Sequence, residues 1–266
     1  MGSIQPRWSL RDAGATFHTL PVLPWIHLRH AGFGTRSRTA VVRPNDRPDV
    51  SASIQVVFGP SGGPTDEGTM TVAINLTKGG NISLAKAAPG LNVAMLGLGW
   101  NPRSTDGAQF DLDASCLLLT ADGRVRSERD FIFYNNTRSD CGSVVHLGDN
   151  RTGEGDGDDE QLRVTLSSLP PEIARIVFIA SIDQAQERGQ NFGMVSDAYI
   201  RFFDADAPND DSRGARYDLA EDSATETALI FGELYLYNGE WKFRAVGQGN
   251  TSGLVGVLAD FGLAGA

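Results

Sequence analysis

From residue 70 onward, short runs of apolar residues alternate with polar ones or stand together, separated by turn-forming residues. Alternation over residues 72–76 and 82–84 predicts two short strands with a turn between them, because residues i and i+2 lie on one face of a strand. Continuous apolar runs at 93–100 and 175–182 are typical of buried strands. Further strands are predicted at residues 110–119, 131–134, 143–147, 161–166, 194–203, 215–219, 227–237 and 241–246.

About ten short strands with turn signals at regular spacing predict an all-β fold, specifically a β-sandwich. Strands do not alternate with long helices, which argues against a doubly wound sheet. Apolar residues in 253–262 have the spacing of a short amphipathic helix at the C-terminal end, and a second short helix is expected at about 184–189. Acidic loops at one end of such a sandwich would be its natural place for binding cations.

The first 69 residues lack sustained periodicity and hold three of the four histidines. One explanation is a disordered tail. Another is that the segment is not translated in the native protein, because Asp66-Glu67-Gly68 can be encoded by a ribosome-binding sequence just ahead of a start codon at Met70. We favour the second explanation. Residues 1–69 are therefore treated as an N-terminal extension and residues 70–266 as the functional domain.

The net charge of −10 is unevenly spread, with +2 in residues 1–69 and −12 in residues 70–266. An acidic domain repels nucleic acid and anionic membranes and suits cations. No apolar run reaches the ~18 residues of a membrane span, and signal-peptide features are missing. Cys116 and Cys141 show neither pairing nor zinc-like spacing, which is typical of reduced thiols in a cytosolic protein. A cytoplasmic location is expected.

The stretch DNRTGEGDGDDE, residues 149–160 and called the acidic loop below, holds six carboxylates, three glycines and one cation, Arg151. Oxygen ligands on a flexible loop suit a hard divalent cation, with Ca²⁺ the first choice. A solvated acidic face is the alternative. The loop is not an EF-hand, because Arg151 and Glu154 occupy its third and sixth positions and strands are predicted to flank it.

Other oxygen donors are expected to gather near the acidic loop. Asp111 and Asp113 share one face of a predicted strand, and neighbouring carboxylates near a core repel unless a cation lies between them. Two further acids stand in loops or at a strand end, and two asparagines offer neutral oxygens. The candidate ligands are Asp106, Asp111, Asp113, Asn135, Asn136, Asp149, Asp156, Asp158, Asp159, Glu160 and Asp183. One Ca²⁺ takes about 6–8 ligands, so two ions are expected.

Seven long, ordered stretches resemble the TerD family of bacterial tellurium-resistance and stress proteins, and together they span essentially all of residues 70–266. They are KGGNISL, GLGWNPRSTDGAQFDLDAS, DFIFYNN, GDNRTGEGDGDDE, QNFGMVSDAYIR, SATETALIFGELY and GEWKFRAVGQG. The resemblance implies a β-sandwich that binds calcium through acidic loops. It assigns the calcium role to Asp111, Asp113, Asp149, Asp158, Asp159 and Glu160.

Two places depart from the family pattern. Asp183 is matched less securely than the other acids, because Asp183-Gln184 stands where family members often have a histidine or another acid. Residues 1–69 have no counterpart in the family, which supports a start at Met70.

An enzyme is the first alternative. His146 is the domain's one histidine and has no nucleophile motif near it, and G-x-S-x-G, Walker A and HExxH patterns are absent. Asp111 and Asp113 could bind Mg²⁺ for hydrolysis of a phosphate ester, although a surplus of oxygen ligands favours a saturated site. Cys116 and Cys141 could form a tellurite-reducing pair. We expect Cys116 in the core, Cys141 exposed, and nothing that lowers the pKa of either thiol.

An interaction module is the interpretation we prefer. Calcium would order the acidic loops into a docking surface for other stress-response proteins of the same system, with the inner membrane surface as one possible place of assembly. The acidic charge disfavours anionic lipid unless calcium bridges the two. Trp100, beside the acidic residues, is expected to cap the core rather than to serve as an exposed anchor. The sequence thus predicts a non-catalytic, calcium-binding β-sandwich.

Overall fold

The computed structural model describes residues 52–58, 70–76, 78–102, 107–155, 157–210, 213–218 and 225–263. These residues form two β-sheets. Sheet A has the strand order β1-β2-β11-β10-β4-β8-β7, where the strands are β1 (Ala52–Phe58), β2 (Met70–Leu76), β4 (Val93–Asn101), β7 (Val144–His146), β8 (Glu160–Thr165), β10 (Ser196–Asp204) and β11 (Ala215–Asp218). Sheet B has the order β3-β13-β12-β9-β5-β6, where the strands are β3 (Asn81–Ser83), β5 (Leu112–Thr120), β6 (Phe131–Ile132), β9 (Ile173–Ile182), β12 (Ala228–Tyr237) and β13 (Glu240–Asn250).

The core lies between the two sheets, which confirms the predicted β-sandwich. Large side chains from the facing strands are fully buried there, including Leu96, Phe178, Phe202 and Phe231. The rings of Phe178 and Phe231 stack with centroids 6.0 Å apart. In β8, buried positions alternate with more exposed ones, because one face of the strand meets the core and the other faces outward.

The outer face of sheet B is covered in its middle by the C-terminal helix α3 (Gly253–Asp260). Val257 and Leu258 of α3 join a second apolar cluster with Leu117, Val177 and Ile179 of the sheet. Strands β5 and β9 are therefore buried on both faces, which explains their nearly continuous apolar sequences.

The same outer face also carries charged residues. At the end where β5 begins and β9 ends stand Asp111, Asp113 and Asp183, and we call this the acidic end. Towards the start of β9, Arg175 forms an ion pair with Glu233, which lies opposite Val177, and we call this the paired end. Asp113 lies opposite Ser181 and Glu233 opposite Val177, and because an extended strand rises about 3.3 Å per residue, these two positions are about 13 Å apart along β9.

Most predicted elements are present, with shifted boundaries. The strand predicted at 131–134 stops at Ile132, because Phe133 and Asn136 close a turn. The predicted short helices are α2 (Ala185–Arg188) and α3, whereas α1 (Leu84–Ala87) was not predicted. No helix among the described residues is long and apolar enough to cross a membrane.

Strand β1 was not predicted either. It lies inside the predicted N-terminal extension and pairs antiparallel with β2 over its full length. Its ASIQVVF sequence alternates only briefly between stretches rich in Arg, Pro and Gly, so the pattern is easily missed. The other residues of 1–69 lie outside the described part, and the division at residue 70 stays a prediction.

Candidate metal centre

Three carboxylates converge at the acidic end. Asp113 is in β5, Asp111 immediately precedes that strand, and Asp149 opens the acidic loop after β7. One oxygen from each lies within 4.8 Å of the others. Calcium–oxygen bonds of 2.3–2.6 Å place ligand oxygens up to about 5 Å apart across one ion. The spacing of the three carboxylates therefore fits a shared Ca²⁺.

Asp183 borders this group at the end of β9. Its backbone N–H donates to the carbonyl of Asp111 at 2.8 Å, which extends the β5–β9 pairing by one step. Its carboxylate accepts a hydrogen bond from Gln184 Nε2 at 2.8 Å and lies 3.4 Å from Arg188 Nη2. Asp183 thus lies beside the other acids, and Arg188 offsets part of its charge.

Asp113 is the most perturbed acid of the group. Burial, with 9% of the residue exposed, is the main cause that raises its pKa to about 8, followed by repulsion from Glu160, Asp111, Asp183 and Asp149. In the described part of the chain no cationic side chain lies within ion-pair distance of Asp113. A proton or a bound cation must therefore compensate this carboxylate.

Asp111 is only weakly compensated. Burial raises its pKa, and repulsion from Asp183 and Asp149 adds to the rise. Arg151 lowers the pKa of Asp111, because its Nε lies 3.4 Å from Oδ2 of that carboxylate. That arginine side chain is 68% exposed, and solvent screens its contribution.

Glu160 bridges the two sheets. Its buried carboxylate accepts hydrogen bonds from Ala114 N at 2.6 Å and Asn150 N at 3.3 Å, and lies 3.5 Å from His146 Nε2. Because His146 Nδ1 accepts from Gly148 N, its Nε2 donates to the Ala114 carbonyl at 3.1 Å. Burial raises the pKa of Glu160, and the hydrogen bond from His146 partly offsets that rise. His146 is therefore a packed residue that caps the edge of β5.

Asp159 holds the acidic loop against β4. Its carboxylate accepts from the backbone N–H of Trp100 at 2.9 Å and from Asn150 Nδ2 at 2.8 Å. Burial raises its pKa, and the Trp100 N–H bond counters that effect. The Trp100 indole is buried, as predicted, and donates to Phe110 O at 3.2 Å. At Gly153, φ is +69° and a Cβ would lie 2.4 Å from that indole nitrogen, so only glycine fits.

Asp158 is paired within the protein. Arg201 donates to it through Nε at 2.7 Å and Nη2 at 2.9 Å, and Gln161 Nε2 donates at 2.9 Å. The side chain of Asp158 is fully buried. Among the described residues, no direct hydrogen bond or ion pair joins Asp158 to Asp111, Asp113 or Asp149, and its predicted role as a ligand stays a prediction.

The remaining candidates are two asparagines of one turn and two acids outside the described residues. Asn136 donates through Nδ2 to the Phe131 carbonyl at 2.6 Å and closes its own turn. Asn135 is exposed beside it. Asp106 and Asp156 lie outside the described residues. The predicted ligand roles of these four residues stay predictions.

Two residues near the acids were missed by the sequence analysis. Tyr134 is 42% exposed, and its pKa is raised by burial and by the nearby charges of Asp113, Asp183, Asp149 and Asp111. Ser115, two residues after Asp113 in β5, is buried and its hydroxyl has no hydrogen-bond partner. The i, i+2 spacing could have pointed to Ser115, but no sequence signal places Tyr134 beside the acids.

The cysteines take the predicted positions, with Cys116 buried and Cys141 exposed. Burial raises the pKa of the Cys116 thiol. The expectation that nothing lowers either pKa is wrong for Cys141. Partial burial acts to raise its pKa, but hydrogen bonds with the hydroxyls of Ser139 at 3.4 Å and Ser143 at 2.9 Å outweigh burial and lower it.

Fold and site together define a two-sheet sandwich with a candidate cation centre built from loops and strand ends at one end. A sequence model of the TerD domain matches residues 72–261, and the chain belongs to the TerD family. This confirms the resemblance seen in the sequence motifs.

Named relatives agree with this membership. The chain is 57% identical to the tellurium resistance protein TerD of Serratia marcescens over 194 residues, which cover 72% of this chain and 98% of the relative. It is 49% identical to general stress protein 16U of Bacillus subtilis (strain 168), over 72% of this chain and 98% of the relative. A solved structure of a homologue of the telluride resistance protein TerD, from Streptomyces coelicolor A3(2), superimposes with a TM-score of 0.55 at 24% identity. It covers 66% of this chain and 99% of that one, and supports the fold.

Proposed function

We propose that this chain is a calcium-binding, non-catalytic protein of a tellurium-resistance and general stress-response system. Ca²⁺ would order its acidic loops into a surface for docking partner proteins. The names of its relatives, which refer to resistance and stress, support a role in such a system. The converging carboxylates of the chain support the binding of Ca²⁺.

One observation carries the proposal. Asp113 is buried, faces other carboxylates, and has no cationic side chain within ion-pair distance among the described residues. A bound Ca²⁺ would supply the missing positive charge through oxygens of Asp111, Asp113 and Asp149, with Asp183 at the rim. The unpartnered hydroxyl of Ser115 adds a neutral oxygen close to Asp113 in sequence.

The number of ions is the finer part of the proposal. Asp158, Asp159 and Glu160 were expected to be calcium ligands, in a candidate set large enough for two ions. Each of these carboxylates accepts hydrogen bonds from other parts of the protein. We therefore propose one principal ion at Asp111, Asp113 and Asp149, and a second one only if Asp106 and Asp156 complete another site.

The partners are proposed to be other stress-response proteins of the same system, in the cytoplasm or at the inner membrane surface. Ordering of the acidic loop would fix Leu147, which is exposed two residues before Asp149, and Tyr134 beside the acids. Exposed apolar and aromatic groups next to a charge-neutralised site are suited to protein contacts.

The test measures the calcium content of the purified protein and the tellurite resistance of cells. Full-length protein, purified without chelator, should contain about one calcium per chain by inductively coupled plasma mass spectrometry, and D111N/D113N should contain none. Cells that depend on this chain for growth on tellurite should lose resistance with that double variant. D206N/D260N removes the same two charges from exposed positions and is the matched control. Full resistance with D111N/D113N would contradict the proposal.

A further inference from the structure

The acidic loop ends in a buried ion pair on the outer face of sheet A. Arg201 of β10 donates two hydrogen bonds, of 2.7 and 2.9 Å, to the Asp158 carboxylate, which is fully buried. The hydroxyl of Tyr199, also in β10, lies 3.2 Å from Asp158 Oδ1 and 2.8 Å from the carbonyl of Gly157. A carboxylate neutralised by a bidentate guanidinium is suited to hold structure rather than a cation.

Strand β4 is shaped to receive this contact. A Cβ on Gly97 would lie 2.1 Å from the carboxyl carbon of Asp158, and a Cβ on Gly99 would lie 2.5 Å from the ring of Tyr199. Because both positions are glycines, the end of the acidic loop can pack directly against sheet A. The guanidinium of Arg216 lies over the Tyr199 ring, 3.7 Å from its centroid, and fixes the ring from the other side.

A chain of contacts connects this anchor to the cluster of acids. Next to Asp158, the backbone N–H of Asp159 donates to Leu98 O at 2.8 Å. The carboxylate of Asp159 accepts from Asn150 Nδ2 at 2.8 Å. Asn150 directly follows Asp149, one of the three converging carboxylates. The position of Asp149 is thus coupled through packed, hydrogen-bonded groups to β10.

We infer that Arg201 and Tyr199 are positioning residues for the candidate calcium centre. They hold the end of the acidic loop on sheet A and thereby fix Asp149 opposite Asp111 and Asp113. Asp158 becomes an anchor of the loop instead of a metal ligand. The predicted effect on calcium affinity rests on the proposed function. The anchoring of the loop can be measured separately, in the absence of calcium.

The main experiment uses Arg201→Gln in the full-length protein. Calcium affinity, measured by calorimetry, should fall about tenfold or more, as it does when groups that orient metal ligands are removed. Hydrogen–deuterium exchange of peptides from residues 149–160 should become faster in chelator, without calcium. Tyr199→Phe keeps the ring and the ion pair and removes only the hydroxyl, so it should weaken calcium binding by a smaller factor of about three.

Arg213→Gln is the matched control. Arg213 pairs with buried Asp204 at the end of β10, with Nε 2.9 Å from the carboxylate. Its loss should lower the melting temperature but leave calcium affinity and loop exchange unchanged. Equal losses of affinity in R201Q and R213Q would overturn the inference, as would a loosened loop with unchanged affinity. If the wild type takes up no calcium, the proposed function fails, and faster exchange confined to residues 149–160 in R201Q still supports the anchor.

Discussion

Asp113 and Glu233 are buried carboxylates at opposite ends of the outer face of sheet B, and they are compensated differently. Glu233, 4% exposed, lies 2.6 Å from Arg244 Nη2 and 3.7 Å from Arg175 Nη1. Among the described residues, the charges that act on Asp113 are those of other acids, and its pKa rises to about 8 mainly through burial. The difference shows that this fold can pair a buried acid with arginine, whereas Asp113 has no such partner among the described residues.

Three other buried acids follow the pattern of Glu233, while Glu160 faces His146 and backbone N–H groups. Asp130 lies 2.6 Å from Arg126 Nη2, and Asp158 and Asp204 are held by Arg201 and Arg213. Unpaired buried charge is costly. An acid that departs from the pattern, as Asp113 does within the described residues, is therefore the place where a cation from solution would act.

The largest expected effect is stabilisation by calcium. A ligand that binds only the folded state adds about 2.7 kcal/mol at 100 times its dissociation constant. Saturating Ca²⁺ should raise the melting temperature of the wild type and of E233Q, in calorimetric scans of chelator-treated protein. D113N should melt at the same temperature with and without calcium. A calcium-induced rise in D113N equal to that of the wild type would remove the distinction between the two ends.

The next effect compares the two acids without calcium. Glu233→Gln leaves Arg175 and Arg244 without their partner and should lower the free energy of unfolding by about 1–3 kcal/mol. Asp113→Asn removes a repelled carboxylate and should leave stability unchanged or increase it at pH 8 and above. Urea unfolding in chelator measures both. Loss of stability in D113N as large as in E233Q would show that the two carboxylates are equivalent.

A smaller effect is the dependence of stability on pH. The folded-state pKa of Asp113, about 8, is above its unfolded value of 3.8, so the folded protein binds this proton more tightly. Its contribution to stability is present at low pH and is lost as the pH rises from about 4 to about 8. Unfolding in chelator should therefore become easier from pH 6 to pH 8, with a shallower slope in D113N. Binding of Ca²⁺ at pH 7 should release protons, and equal slopes would argue against a buried, uncompensated Asp113.

The smallest effect concerns Tyr134. Its ring lies near the four acids, so Tb³⁺ in place of Ca²⁺ should show luminescence excited through tyrosine. Tyr134→Phe should reduce that luminescence and leave calcium affinity within about twofold, because the hydroxyl carries no assigned contact to the ion. Displacement of Tb³⁺ by Ca²⁺ measures the affinity. Undiminished tyrosine-excited luminescence in Y134F would place the ion elsewhere.

The sandwich and part of its site could be predicted because they depend on local patterns. Alternation identified most strands, and the i, i+2 spacing placed Asp111 and Asp113 on one face. The sequence could not show which acids are already paired. Asp158 is engaged by Arg201, 43 residues further along the chain, and Asp159 by a backbone N–H of Trp100. Such pairings depend on which strands become neighbours, and composition alone makes every acid of the loop look like a ligand.

We propose that a cation from solution compensates Asp113. Calorimetric titration of Ca²⁺ into chelator-treated full-length protein at pH 7.4 is the decisive experiment, with Mg²⁺, D113N and E233Q measured alongside. We expect saturable Ca²⁺ binding in the wild type and E233Q, and a loss of affinity of at least about 100-fold in D113N, because even groups outside the ligand shell cost 10–100-fold. Absence of binding in the wild type, or equal affinity in D113N, would contradict it.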